Sequence, residues 1–469
     1  MIPQGIRKYL NHYSVGPRWR VVAESREGVE SVVVIPALAE SDHLFETLAG
    51  LAGNPRSELA RALVVCVINN GTTETVPEDD SVDNLKTLKI LRWLMGRGEG
   101  NLHDARMLAL LDRIRQSGLR IGYVDAASPG LELPDKDAGV GFARKIGMYL
   151  ALSVFDYEGC GPHLIFSLDA DTIVEGDYLA AVRSAFARKK YAAAVIAYAH
   201  QTAGNPDEQA AICCYELFLR YYVLGLRYAG SPYAFHSIGS TMVCTADAYA
   251  QVRGMNRRKA AEDFYFLDKL AKTGAVGKIC ATTVRPSSRA SRRVPFGTGK
   301  RVARFTEGTE NEYTLYDPRS FFILKEWLGG MVSCRDTDPE AILARTRTIE
   351  PSLEAFLRGY HFDDIWPRLV RNSGDQAHLR DHFSRWFDGF KTFKLIRHLA
   401  TTGFPPVHMF TALETLAEMM EDRLPVRVTP GSVPPLSEQM EILEHLRACD
   451  RGGDDGAAAS AAEEGTRKK

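Results

Sequence analysis

Two aspartates separated by one residue, Asp169-Ala170-Asp171, follow the apolar run from Leu164 to Leu168. Carboxylates this close to a buried strand are costly to leave unpaired. Their hard oxygens suit Mg²⁺ or Mn²⁺. A cation held there would bridge a nucleotide diphosphate and neutralise a departing anion. The same spacing also fits a solvated turn whose aspartates cap a helix. A second acidic pair, Glu262-Asp263, stands ahead of Phe264, Phe266, Leu267 and Leu270, whose spacing predicts a helix starting near Ala260. In a first turn, acids either compensate the helix dipole or supply a general base at a fixed point. A third signal is basic. Arg285, Arg289, Arg292, Arg293, Lys300, Arg301 and Arg304 lie in one stretch without an acid, and Gly297 and Gly299 flank Thr298. Guanidinium groups and glycine amides together cradle phosphate oxygens. Fourth, Gly139, Gly141 and Gly147 precede and enter a helix, which suggests close backbone approach to a ligand faced by Arg144 and Lys145. Their spacing is not the dinucleotide fingerprint. His236, ahead of Ser-Ile-Gly, is a candidate third metal ligand or acceptor contact; a lone histidine is equally a core residue.

The elements that must position these groups alternate. Residues 31–36, 62–71, 120–126, 163–174 and 191–200 read as strands, and helical periodicity fills 41–52, 82–95, 101–116 and 139–155. Strands alternating with helices imply βαβ units and a mostly parallel sheet, with ligands outside the carboxyl ends of the strands. Asp169 and Asp171 fall at such an end. Past residue 305 the strand signals vanish, and 306–450 reads as a helical region. Residues 451–469 are rich in Gly, Ala and charge, without a large apolar side chain, and are expected to be disordered. The aromatic run Tyr215, Phe218, Tyr221, Tyr222, Tyr228 and Tyr233 is either a wall for an acceptor or, more simply at helical spacing, core.

Composition narrows the classes. At 469 residues, with 45% hydrophobic and 25% charged, the chain is ordinary globular protein, not collagen-like or disordered. Lys+Arg 58 against Asp+Glu 59 gives a net charge of -1, which announces no nucleic-acid partner. Eight cysteines without a Cys-x-x-Cys pair argue against a structural zinc site and for reduced core thiols. No run has the length of a membrane span, and no leader peptide is evident. The expectation is a cytoplasmic protein, with peripheral contact at the inner face of a membrane left open.

The order of Pro36-x-x-x-Glu40 after the first strand, an Asn69-Asn70-Gly71 turn, Gly-x-Gly-x-Ala143-Arg144, Asp169-x-Asp171 and Glu262-Asp263 resembles the family 2 glycosyltransferases of GT-A fold. The resemblance covers roughly residues 31–275. It implies an α/β fold, a GT-A (Rossmann-like) mostly parallel sheet flanked by helices, with a helical C-terminal extension and the disordered tail. The division it implies is 1–30 as an N-terminal extension, 31–305 as the catalytic domain, 306–450 helical and 451–469 tail. It also implies a metal-dependent, inverting transfer of a hexose from a nucleotide-sugar donor to an acceptor hydroxyl, the acceptor being a carbohydrate, lipid or small molecule. By resemblance, Asp169 and Asp171 hold Mg²⁺ or Mn²⁺ and the donor, Asp263 is the base with Glu262 beside it, and Pro36, Glu40, Asn70 and Arg144 line the nucleotide. Arg289, Arg292 and Arg293 attend the diphosphate. The sequence departs from the family at Asn70, where an aspartate is usual, and at Lys145, where the family has asparagine. The tail Pro286–Lys300 marks a narrower subgroup of bacterial type. Two rivals remain: a haloacid-dehalogenase-like phosphatase, whose motif the Asp-Ala-Asp-Thr run approaches, and a degenerate nucleotide-sugar-binding protein without turnover.

Overall fold

The computed structural model describes the chain apart from residues 73–75, 98–103, 160, 203, 291–296, 333, 335 and 453–469. Arg292, Arg293 and nearly all of the expected tail therefore lie outside the described residues. The chain forms two compact units. The first joins Met1–Thr202 to Ser237–Lys300, and the second joins Ala203–His236 to Arg301–Lys469.

The first unit is built on a nine-stranded sheet. Its strands are β1 Val22–Ala23, β2 Ser31–Ala37, β3 Ala62–Asn69, β4 Ile121–Ala126, β5 Leu164–Ser167, β6 Ile173–Val174, β7 Ala193–Tyr198, β8 Met242–Thr245 and β9 Val276–Arg285. Their order is β1-β4-β3-β2-β5-β8-β7-β9-β6. Strands β4, β3, β2 and β5 run parallel, as do β7 and β9, whereas β8 lies antiparallel between β5 and β7. Every residue of β2 and β3 is buried. That burial on both faces is why these strands read as unbroken Val/Ile/Leu runs rather than alternating ones. Helices cover the sheet, and the core gathers Val33, Ile35, Phe45, Leu48, Val64, Ile68, Leu88 and Phe166.

Three expectations need correction. The strand foreseen over 163–174 is two strands, β5 and β6, and β6 pairs with β9 at the far edge of the sheet. The Asp-Ala-Asp segment between them turns instead, Thr172 donating its amide to the Asp169 carbonyl at 3.2 Å. Strand β9 itself was not foreseen. The glycines of helix Val140–Ala151, Gly141 and Gly147, make room for close contact with protein. A Cβ at Gly147 would fall 2.4 Å from Val34, and one at Gly141 would fall 2.2 Å from the Arg258 carbonyl.

The second unit is almost wholly helical. Leu217, Tyr221, Phe321, Leu324, Trp327, Leu357, Trp366, Leu395, Phe410 and Leu443 share its core. Much of the aromatic run joins that core: Tyr221 is fully buried with its ring 5.5 Å from Phe321, and Phe218, Tyr222 and Tyr228 pack against the same core. Among the described residues no helix is long and apolar enough to cross a membrane.

Candidate active site

The carboxyl ends of β2, β3 and β5 carry the polar groups. β2 ends at Ala37, and the backbone then enters the left-handed region at Ala39, with φ of 51°. A non-glycine residue there is uncommon and costs energy. The Ala39 amide donates to Asn84 Oδ1 at 2.9 Å. The carbonyl of Glu40 accepts the amides of His43 and Leu44, which opens helix Leu44–Leu51. Pro36 is a buried residue of β2, paired with Val67. It lacks an N–H and shapes the strand rather than offering a polar contact.

Asn70 follows β3 and is 3% exposed. Its Nδ2 donates to Ser81 Oγ at 3.0 Å, and its Oδ1 accepts from Asn84 Nδ2 at 3.2 Å. Asn84 also donates to the Asn69 carbonyl at 3.2 Å, so one side chain ties the ends of β2 and β3 together. The Asn70 amide here both donates and accepts, to Ser81 and from Asn84.

The Asp169–Asp171 turn is stapled from both sides. Thr47 Oγ1 donates to the Ala170 carbonyl at 2.8 Å. Gln201 Nε2 donates to the Asp171 carbonyl at 2.8 Å and the Arg285 carbonyl at 2.9 Å. Neither residue stands in a recognisable motif. Thr47 is marked in the sequence only as a polar residue on the inner face of an apolar helix.

The charged side chains then form two ion-pair triads that meet at the Asp169–Asp171 turn. Arg289 joins Glu40 to Asp171, with its Nε 2.9 Å from Asp171 Oδ2. Arg144 joins Asp169, at 2.5 Å, to Glu262. Glu262 neighbours Asp263 at the head of helix Glu262–Ala271. Arg144 is 1% exposed. Burial alone would lower its pKa, but Asp169, Glu262 and Asp263 more than offset that, so the guanidinium stays charged. Gly239 makes room for it, since a Cβ there would lie 2.7 Å from Arg144 Nη2. Desolvation, with the charges of Asp171 and Glu262 beside it, raises the Asp169 carboxyl above its ordinary value against the pull of Arg144.

Helix Glu262–Ala271 starts abruptly. Ala261 before it has φ of 56°, again left-handed. Asn256 Nδ2 holds the Glu262 carbonyl at 3.0 Å, and Lys145 Nζ holds the Met255 carbonyl at 2.6 Å. Lys145 therefore anchors the loop that leads to the acidic pair. Desolvation first, then the charges of Lys269 and Arg257, lower its pKa to about 8. Asp263 Oδ1 accepts the Phe264 amide at 2.7 Å. Desolvation and the Glu262 charge still push the Asp263 carboxyl up to about 7, against that amide and Arg144. A carboxyl poised there is matched to proton abstraction near neutrality. Glu262 differs from it, being buried and engaged by Arg144.

Of the other foreseen residues, Arg285 pairs with Glu175, and Arg301 and Arg304 pair with Glu312 in the second unit. Only Arg289 of the described basic stretch joins the Asp169–Asp171 cluster. His236 also belongs to the second unit, where its Nε2 lies 2.9 Å from Asp450 Oδ2. That contact accounts for its burial without a metal. At the cluster itself, Asp169 and Asp171 offer two hard carboxylates and no imidazole or thiolate. Mg²⁺ and its relatives are commonly held by one or two carboxylates with phosphate oxygens and water completing the shell. The pair fits a cation that arrives with a diphosphate.

Neither a protein-family model nor a curated protein matches this sequence. Solved structures do. Staphylococcus aureus TarS, residues 1–349, aligns at 12% identity and a TM-score of 0.35 over 73% of this chain and 90% of that one. The same protein in complex with UDP-GlcNAc aligns at 11% identity and a TM-score of 0.34 over 75% and 90%. Mannosyltransferase PcManGT from Pyrobaculum calidifontis, in complex with GDP-Man and Mn²⁺, aligns at 12% identity and a TM-score of 0.33 over 96% and 95%. These values are too low to place the chain in a family, and the residues themselves must carry the functional reading.

Proposed function

We propose that the first unit is a nucleotide-sugar glycosyltransferase of GT-A type that transfers a hexose to an acceptor hydroxyl with inversion. The observation that carries this reading is the pair of ion-pair triads, Glu40–Arg289–Asp171 and Asp169–Arg144–Glu262, that meet at the Asp169–Asp171 turn, the second of them ending beside Asp263. A parallel sheet presents ligands at that end, and four separate sequence motifs meet there. Asp169 and Asp171 would hold Mg²⁺ or Mn²⁺, which supplies charge neutralisation for the departing nucleoside diphosphate. Arg289 would turn from the carboxylates to the phosphate oxygens as the donor enters, since a guanidinium serves either oxyanion with the same fork. Asn70 and Asn84 would shape the base and ribose end. Asp263 would take the proton from the acceptor hydroxyl as that oxygen attacks the anomeric carbon. Glu262 would act through Arg144 and touch neither substrate. A phosphatase reading is disfavoured because Ile173 stands where that motif wants Thr or Val, two residues after the second aspartate.

The test is donor binding by the intact protein. Thermal-shift measurements with nucleoside diphosphates and Mn²⁺ should show metal-dependent stabilisation, about 2.7 kcal/mol at a hundredfold excess over Kd. Asp171→Ala should abolish the metal-dependent part while the fold survives. Equal stabilisation of wild type and Asp171→Ala would sink the metal assignment. Donor binding without turnover on any acceptor would favour the degenerate binding protein.

A further inference from the structure

Away from these acids, the second unit brings together three donors of unlike kind. Asp422 follows helix Met409–Met419, while His445 and Cys449 stand one turn apart on helix Leu436–Gly452. His445 Nε2 lies 2.8 Å from Asp422 Oδ2. Cys449 Sγ lies 3.5 Å from the same oxygen and 3.6 Å from His445 Nε2. We infer that Asp422, His445 and Cys449 form a binding site for Zn²⁺, with solvent as fourth ligand.

The distances carry the inference. Zinc bonds run about 2.3 Å to thiolate and about 2.0–2.1 Å to imidazole or carboxylate, and a tetrahedron of those bonds has sulfur edges of about 3.5 Å. Both observed sulfur edges match that value. The nitrogen–oxygen edge is at hydrogen-bond length and would open to about 3.3 Å when a cation replaces the shared proton. The donor set decides the metal. Thiolate and imidazole favour zinc over Mg²⁺ and Mn²⁺, so this site and the carboxylate pair Asp169 and Asp171 select different ions. The Asp422 side chain is 42% exposed and that of His445 25%, so a cation can enter from water. Binding sends the thiol proton to solvent as the sulfur–metal bond forms, and the proton between His445 and Asp422 passes to His445 Nδ1, or to solvent if the ring is protonated, as Nε2 takes the metal. Glu421, just before Asp422, has φ of 58°. The neighbour of Cys449, Asp450, is buried and receives Arg220, Arg227 and His236. A bound ion would therefore fix the final helix at the point where its buried ion pairs begin. This inference does not depend on the glycosyltransferase reading.

Cobalt(II) titration of the intact, metal-free protein tests it. One equivalent should give the near-ultraviolet sulfur-to-cobalt charge-transfer band and the intense visible bands of tetrahedral cobalt, and Zn²⁺ should displace both. Cys449→Ser should lose the sulfur band. His445→Gln should weaken Co²⁺ binding at least tenfold, and circular dichroism would verify that both variants fold. Asp171→Ala should keep the full spectrum. Absence of the sulfur band at saturating Co²⁺, or its persistence in Cys449→Ser, would overturn the assignment.

Discussion

Asp263 and Glu262 are adjacent carboxylates in different surroundings, and the proposed function gives them different duties, Asp263 as base and Glu262 as the partner of Arg144. Asp263→Asn keeps shape but cannot take a proton, so turnover should fall by about 10²–10⁴-fold with donor binding nearly unchanged. Wild-type turnover should rise with pH through about 7, because the base works only when ionised. The stability sign runs the other way. A carboxyl whose folded pKa is raised favours folding fully below its unfolded pKa of 3.8, and that contribution is lost as pH rises through about 7. Asp263→Asn should therefore melt above wild type at pH 8 and not at pH 4. Melting curves of the two proteins at both pH values, and a pH–rate profile, check this. Glu262→Gln leaves a buried guanidinium short of one charge while Asp169 stays, and should lower stability by about 1–3 kcal/mol before it alters the pH profile. Equal melting of Glu262→Gln and wild type would count against the Arg144 bridge.

At the scale of elements, the acids are aimed by strained corners. Ala39 precedes Glu40 and Ala261 precedes Glu262, both with positive φ. Ala261→Gly should relieve roughly 1 kcal/mol, raise the melting temperature slightly, and lower turnover by letting the helix head wander. A gain in stability with a gain in turnover would mean that the strain serves nothing. The strands β2, β3, β4, β5 and β7 and the acidic pairs were legible in the sequence, because full burial writes continuous apolar runs and buried carboxylates stand out against them. Strand β9 was not, since Lys278, Thr282 and Arg285 interrupt its apolar pattern. The pairing of Arg289 with Glu40, 249 residues apart, follows from tertiary packing that no local pattern records. The glycines were legible as close-approach positions, but the partner proved to be the neighbouring strand and loop. The cysteines pointed to thiols in the core, and most described ones are buried. Cys449 escaped that reading because its companions are a histidine one helical turn away and an aspartate 27 residues earlier.

The molecule as a whole is not two domains in succession. Residues 203–236 leave the first unit's sequence and join the second. Their helix Pro206–Tyr228 buries Glu216 and Arg220 as well as Leu217, Tyr221 and Leu224. A chain ended at Lys300 would expose that whole face and should aggregate. The same chain with 203–236 replaced by a short Gly/Ser linker should stay monomeric, and size-exclusion chromatography of the two separates the outcomes. If both behave alike, helix Pro206–Tyr228 does not need the second unit.

That helix also sets a waiting time during synthesis. Arg220 is buried against Asp450, 230 residues further along, and Glu216 against Arg447, 231 residues further. At roughly 5–20 residues per second, a ribosome reaches those partners about 10–50 s after it has made the helix. Phe321 and its helix, which pack on Tyr221, are made part-way through that interval, and Arg220 can already pair with Glu216 one turn away, but the partners Asp450 and Arg447 come only at its end. Sheet strands β8 and β9 are made in the same interval, so the first unit can complete its sheet before the last partners of that helix exist. Slowing elongation lengthens that interval in proportion, whereas a chaperone that holds apolar helices would cover it.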